Sequence, residues 1–270
     1  MIKTNFHTHT KRCGHAEGLD EEYVKAAIKA GIRVLGFSDH APYRIPLDRE
    51  RMRIEMYPDY KRSIRELKEK YKDKIEIHLG MEVECMPDEW EDLSRYREEM
   101  EYCILGQHFL KLNSDHTSYD FTEPEELFAY TERIAYAAEH GLCDYIAHPD
   151  VCLWSYPRND DAVRKMAEDI AEISLRYDLP LELNCGSGVK VGKMIYEDGL
   201  RYAYPNHEVF RIFAEKRCKI IIGIDAHSPQ DLLSDRYLDR ALETVKDLEL
   251  NFVYDYDLIS RAEERKEKFY

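Results

Sequence analysis

No run of apolar residues in the sequence is long enough to cross a bilayer. The opening residues, Met1-Ile2-Lys3-Thr4-Asn5, lack the apolar stretch of a signal peptide. No membrane association and a cytoplasmic location are the expectations. C-x-x-C pairs are missing, and the seven cysteines (Cys13, Cys85, Cys103, Cys143, Cys152, Cys185 and Cys218) are odd in number and scattered. That argues against a disulfide framework and against a thiolate zinc site. Most should be small buried hydrophobes; Cys13, between histidines, is read as structural too, with a thiol near a site as the alternative. Positive charge is scarce, with 39 Lys and Arg against 54 Asp and Glu, a net charge of −15. Such a surface repels nucleic acid, so general nucleic-acid binding is not expected. A small phosphorylated substrate would need local positive charge, from metal ions or a few arginines. Gly/Ser-rich linkers, low-complexity tracts and clear repeats are also absent. The 270 residues, 44% apolar, are read as one domain over residues 1–270. The oligomeric state is not legible.

What is present is an alternation of strand and helix signals. Strands are expected at Ile2–Thr8, Val34–Ser38, Ile75–Glu84, Tyr102–Leu110, Asp144–Ala147, Leu181–Cys185 and Lys219–Ile224. Helices are expected at Asp20–Ala30, Pro58–Tyr71, within Glu89–Met100, and at Glu123–His140, Ala162–Tyr177, Glu208–Arg217 and Gln230–Leu248. Apolar stripes support them: Leu127, Thr131, Ile134 and Ala138 share one helix face, and Asp20 is a plausible cap. Continuous apolar runs such as Lys219-Ile220-Ile221-Ile222-Gly223-Ile224 fit strands of a parallel sheet buried on both faces. Seven β/α units in order suit either an open doubly wound sheet or a closed barrel.

The polar residues favour the barrel. The strand ends read Phe6-His7-Thr8-His9, Ser38-Asp39-His40, Gly80-Met81-Glu82-Val83-Glu84, Gly106-Gln107-His108, Ala147-His148-Pro149-Asp150, Leu183-Asn184-Cys185 and Asp225-Ala226-His227. In a closed barrel all these ends meet at one face, where active sites are built. His7 and His9 are two apart and point the same way from a strand, as do Asp225 and His227. The two pairs can close on one ion only if the first and last strands are neighbours. Imidazole and carboxylate together suit zinc, manganese and iron, and a set this rich would hold two or three ions. Such ions activate water and clamp phosphoryl oxygens. Of eleven histidines, His78, His116, His140 and His207 fall away from strand ends and are read as ordinary.

These motifs resemble those of the PHP (polymerase and histidinol phosphatase) family. His7-Thr8-His9 is similar to its first motif, Ser38-Asp39-His40 to its second, Gly106-Gln107-His108 to its third and Asp225-Ala226-His227 to its fourth. Cys13-Gly14-His15-Ala16 supplies a further loop histidine. The resemblance implies an α/β fold, a distorted (β/α)7 barrel, with a trinuclear centre of divalent transition-metal ions (Zn, Mn or Fe). One ion would take His7, His9, Glu82 and Asp225; a second His108, His148 and the other oxygen of Glu82; a third His15, His40 and His227. Glu82, Asp225 and His227 would serve catalysis. Within the family the histidinol-phosphate phosphatases are nearest, through Gly80-x-Glu82, Leu105-Gly106-Gln107-His108-Phe109-Leu110, Cys143-Asp144-Tyr145-Ile146-Ala147-His148-Pro149-Asp150 and Leu181-Glu182-Leu183-Asn184. Their two substrate arginines are matched here by Arg158 and Arg201, whose guanidinium forks fit phosphate. The implied reaction is hydrolysis of L-histidinol phosphate to L-histidinol and phosphate, in histidine biosynthesis. Asp39, Glu84 or a metal-held water would protonate the leaving group. Another small phosphate or a nucleotide is the alternative substrate, and a non-catalytic, metal-stabilised binding domain the alternative role. The chain departs from the family pattern at Gln107, at Ile224 and in the segment Gly186–Ala203.

Overall fold

The structure, a computed structural model, describes residues 2–43, 50–112 and 114–269. The strands are β1 (Thr4–Asn5), β2 (Val34–Phe37), β3 (Glu76–Val83), β4 (Tyr102–Leu105), β5 (Tyr145–Ile146), β6 (Leu181–Asn184), β7 (Met194–Tyr196), β8 (Gly199–Arg201), β9 (Lys219–Gly223) and β10 (Asn251–Phe252). Eight of them form one parallel sheet in the order β1-β2-β3-β4-β5-β6-β9-β10, and β7 and β8 form a separate antiparallel hairpin. The helices are α1 (Asp20–Ala30), α2 (Tyr57–Tyr71), α3 (Trp90–Glu99), α4 (Pro124–Glu139), α5 (Asp161–Tyr177), α6 (Ser187–Lys190), α7 (His207–Glu215), α8 (Arg236–Thr244) and α9 (Leu258–Phe269).

The sheet curls until its ends meet. At the C-terminal ends of the strands, Thr8 bridges Ala226 in parallel register. The amide of His9 donates to Ala226 O at 2.9 Å, and that of Ala226 to His7 O at 3.2 Å. At the other end β10 pairs with the first residues of β9, Asn251 opposite Lys219. The barrel is therefore closed on the face that carries the histidines, and distorted below it. Inside, Phe6, Tyr102, Ile104, Tyr145 and Ile221 pack with Leu258 and Ala262 of α9. This apolar plug is a dry floor under the polar residues. Tyr102 reaches across it, and its single O–H is shared between the carbonyls of Phe6 (2.8 Å) and Phe37 (3.0 Å). Glycine at 36 and 80 leaves room for that side chain, since a Cβ at 36 would fall 2.2 Å from its hydroxyl and one at 80 would fall 2.3 Å from its ring.

Between sheet and helices lies the larger core. Amphipathic helices bury one stripe each, as Tyr57, Tyr60, Ile64, Leu67 and Tyr71 do on α2. Local chemistry starts and stops them. Asp160 caps α5 by accepting from the amides of Ala162 and Val163, and Gly31 ends α1 at φ 75°. Asp20, expected as a cap, is instead the first residue of α1, and Arg12 Nη1 donates to its two oxygens at 2.7 and 2.8 Å.

Several elements differ from the expectations, the unexpected helices α6 and α9 among them. The helix expected over Gln230–Leu248 is a 3-10 turn (Pro229–Leu233) followed by α8, broken at Ser234-Asp235. The strand expected to reach Leu110 stops at Leu105, where the chain leaves the sheet around the Glu82 carboxylate. The eighth strand, β10, and the β7–β8 hairpin were not foreseen, because two- and three-residue strands leave no periodicity to read. Among the described residues no helix is long and apolar enough to cross a membrane.

Candidate metal centre

Barrel closure brings the first and last motifs together. The Thr8–Ala226 bridge pins the middle residue of each triplet, so the flanking side chains share one space. His7 Nε2 lies 3.5 Å and His9 Nε2 3.3 Å from Asp225 Oδ1, and His227 Nδ1 lies 3.3 Å from the same oxygen. Two of the residues involved hold left-handed backbone, Asp225 at φ 52° and His148 at φ 26°. Non-glycine residues there cost about 1–3 kcal/mol and persist where the surroundings force them.

Glu82 is the hub. It is fully buried, and His40 bridges it in parallel register. Five imidazoles surround its carboxylate: His148 Nε2 at 3.0 Å, His40 Nδ1 at 3.1 Å, His9 Nε2 at 3.2 Å, His7 Nε2 at 3.4 Å and His108 Nε2 at 3.8 Å. Space for it comes from Gly106, where a Cβ would fall 1.7 Å from Glu82 Oε1. Gly186 does the same for Asp225, at 2.0 Å. Nearer solvent, His15 Nε2 and His227 Nε2 face each other at 2.9 Å.

This donor set fits divalent cations. His9 Nδ1, His148 Nδ1, Glu82 Oε2 and Asp225 Oδ1 are buried without a hydrogen bond among the described residues, a costly arrangement for groups that no ion engages. His7 Nε2 and His9 Nε2 face each other at 3.1 Å, a pairing of ring nitrogens that suits a shared cation. Donor atoms of His7, His9 and Glu82 lie within 4.8 Å of one another, as do those of His15, His40 and His227, and of His40, Glu82 and His108. Cys13 also comes within this range of His9 and His227, and its burial pushes the thiol pKa well up.

Around the inner pair, His7 and His9, the electrostatics state the same demand for positive charge. Burial lowers the His7 pKa, but Glu182, Asp225 and Glu82 outweigh it and hold it well above the ordinary value. Burial also opposes His9, which Asp225, Asp39 and Glu82 raise to about 9. On the solvent side His15 is pushed down to about 4 by burial and by its neighbours His227 and His9.

Behind the inner histidines stands a layer of carboxylates that the sequence reading did not assign. His7 Nδ1 donates to Glu182 Oε1 at 2.8 Å, and the other Glu182 oxygen accepts from the amide of His148 at 3.0 Å. His108 Nδ1 donates to Glu84 at 3.2 Å. Such partners fix the tautomer and aim the remaining nitrogen. The signal in the sequence was the alternation Glu82-x-Glu84 and Glu182-x-Asn184, which puts both members of each pair on one strand face. Glu84, offered by the sequence as a proton donor, has both oxygens engaged by Arg51. Burial raises its pKa, but Arg51 and His108 outweigh it and hold the group ionised.

The structure does not join Arg158 and Arg201 to the histidine cluster by any direct contact among the described residues. Arg158 is half-exposed and pairs with Glu197 at 2.8 Å. Arg201 donates to the carbonyls of Tyr202 and Tyr156 and lies 3.5 Å over the ring of Tyr196. Both fasten the β7–β8 hairpin to the loop after β5, together with Tyr196, which donates to Trp154 O. That loop also brings up an aromatic wall the sequence reading missed. Tyr119 stacks parallel to His108 at 6.0 Å, Trp154 packs on Tyr119 at 5.2 Å, and Tyr204 lies 6.1 Å from both Trp154 and His148. His78, His116, His140 and His207 pair away from the cluster, with Glu101, Glu126, Tyr136 O and Asp247.

Known proteins resemble this chain in sequence and in fold. A probable histidinol-phosphatase of Deinococcus radiodurans is 27% identical over 260 residues, covering 90% of this chain and 92% of the relative. A histidinol-phosphatase of Bacillus subtilis is 30% identical over 135 residues, covering 46% of this chain and 50% of the relative. The structure of a histidinol phosphate phosphatase from Lactococcus lactis, complexed with zinc, L-histidinol and phosphate, superposes with a TM-score of 0.67 at 17% identity, covering 93% of this chain and 95% of that one. The model of the PHP domain matches residues 5–186, and with the motif histidines gathered around Glu82 the chain belongs to the PHP-domain family.

Proposed function

We propose that residues 1–270 act as one metal-dependent phosphomonoesterase domain that hydrolyses L-histidinol phosphate to L-histidinol and phosphate, a step of histidine biosynthesis. The observation that carries the reading is Glu82, a buried carboxylate within 3.8 Å of five imidazoles. Its support is the similarity to named histidinol-phosphatases along nearly the whole chain. Two to three Zn, Mn or Fe ions would supply the Lewis acidity that activates water and offsets charge on the phosphoryl oxygens. His7, His9, Glu82 and Asp225 would hold one ion, Glu82 with His108 and His148 a second, and His15, His40 and His227 a third.

The remaining work falls to the chain. Glu82, Asp225 and His227 fix the reacting phosphate's surroundings by holding the cluster rigid on the closed rim of the barrel. Arg158 and Arg201 receive phosphate oxygens, for which Arg158 exchanges its exposed partner Glu197. The wall of Tyr119, Trp154 and Tyr204 receives the leaving group, since aromatic faces suit both an imidazole ring and an ammonium. Phosphate release from L-histidinol phosphate, measured with Zn, Mn and Fe each supplied and set beside nucleoside monophosphates, tests the reading. The highest kcat/KM should belong to histidinol phosphate. Turnover of nucleotides alone would reassign the substrate, and no turnover with any metal would return the chain to a binding role.

A further inference from the structure

We propose that Arg51 and Glu84 form a positioning pair that aims His108 and His40 at the centre. The inference rests on reading those two histidines as metal ligands. Both partners are buried, Arg51 with 5% and Glu84 with 0% of its surface exposed. Two guanidinium nitrogens meet two carboxylate oxygens, Nη1 to Oε2 at 2.8 Å and Nη2 to Oε1 at 3.0 Å. This is the bidentate fork that arginine makes and lysine cannot. Glu84 Oε1 also accepts from His108 Nδ1 at 3.2 Å. With Nδ1 donating backwards, the Nε2 lone pair of His108 must face forwards, toward Glu82 Oε1 at 3.8 Å.

The same guanidinium reaches the second histidine through the backbone. Arg51 Nη1 donates to Ala41 O at 3.1 Å, the residue after His40, whose Nδ1 faces Glu82 at 3.1 Å. Tyr43 and Phe109 hold the cation from two sides, each ring centroid 5.2 Å away, and Phe109 directly follows His108. Arg51 therefore ties together the loops after β2 and β4 and the end of β3. Stability does not account for such a pair, because a buried ion pair can be exchanged for packed apolar residues with no loss of stability, and often a gain. What an apolar pair could not do is fix the tautomer of His108 and raise its basicity, and partners of that kind are worth 10- to 100-fold in metal affinity.

The test separates aiming from stability. Zinc-loaded protein with 15N-labelled histidine is prepared as wild type, Glu84→Gln, Arg51→Met, Arg51→Lys and the apolar double variant Arg51→Met/Glu84→Met. Zinc affinity is read by competition with a chromophoric chelator, the protonation of each His108 ring nitrogen by its 15N shift, and activity as separate kcat and KM. The single variants should bind their weakest zinc roughly 10- to 100-fold less tightly, with lower kcat, little change in KM and an altered His108 signal. Arg51→Lys should recover part of the loss. The double variant should melt no lower than wild type yet remain weak in zinc, and it carries the test if a single variant does not fold. A double variant with wild-type zinc affinity and kcat would overturn the proposal. Wild-type protein that takes up no zinc would overturn the ligand assignment beneath it, a distinct result.

Discussion

Replacing Glu82 by Gln removes one negative charge from among five imidazoles while leaving side-chain volume unchanged. The carboxylate is fully buried, so water does not make good the loss. Removing one member of a buried charge pair costs about 3–5 kcal/mol. In the proposed centre the charge left uncompensated would be that of the ions on the histidines, so the cost should fall on metal binding. At 1.4 kcal/mol per tenfold, that is roughly 140- to 3,700-fold in Kd for the ions Glu82 would contact. Elemental analysis after dialysis should find about two to three transition-metal ions per wild-type chain and fewer than about one in the variant, with phosphate release falling in step. Glu101→Gln is the control for charge, since Glu101 precedes β4 at the opposite end of the strands and pairs with His78 and Lys68. If Glu82→Gln keeps a full complement of metal and a near-normal rate, the hub assignment is wrong, and one ion per wild-type chain after reconstitution would refute the multinuclear reading.

Arg201→Ala should lower kcat/KM by roughly 30- to 1,000-fold, the loss of about 2–4 kcal/mol expected for a donor to developing charge. Arg158→Ala, whose side chain is half in water, should lose less, and Arg176→Ala on α5 should match wild type; equal activity in all three would leave phosphate to the metals. Trp154→Ala should raise KM for histidinol phosphate several-fold more than for a small alkyl phosphate, and equal effects on both would remove the wall from substrate recognition. Glu101 gives a pH dependence of stability: burial raises its pKa, but His78, the Leu79 amide and Lys68 outweigh it and bring it down to about 2. A depressed carboxylate stabilises the fold above its unfolded pKa of about 4.5 and loses that contribution as pH falls toward about 2. Allowing for its partial exposure, denaturant titrations should find Glu101→Gln about 1–2 kcal/mol less stable than wild type at pH 7, with the gap closing below about pH 3; a gap independent of pH would contradict the assignment. Arg97→Met breaks the fully buried fork to Asp144 at 2.5 and 2.7 Å. Asp144 keeps the Cys103 amide and Arg265 nearby, so the loss should sit near about 3 kcal/mol, or roughly 6–12 °C in Tm, with metal content unchanged.

Much of the histidine–carboxylate cluster was legible in the chain. Strand ends are marked by where apolar runs stop, and the parallel β/α order requires those ends to lie on one face. His7, His9, His40, Glu82, His108, His148 and Asp225 could therefore be placed together before any distance was known. Residues that act across the barrel were not legible. Glu182 supports His7 from 175 positions away, and Tyr119, Trp154 and Tyr204 meet only because three loops fold over one rim. Arg158 and Arg201 show the limit from the other side: a guanidinium in a suitable loop is all a sequence can offer, and tertiary packing gave both arginines protein partners.

The order of elements, the one-sided gathering of imidazole and carboxylate and the acidic surface follow from the residues in order along the chain, because periodicity, apolar runs and charge are local or summed properties. Folding in three dimensions sets how the barrel closes, through the bridge between Thr8 and Ala226, and which glycines leave space for Glu82 and Asp225. It alone decided which buried carboxylate stands behind which histidine. Those outcomes depend on close packing between residues far apart in the chain, and sub-ångström fits of that kind leave no trace in spacing or composition.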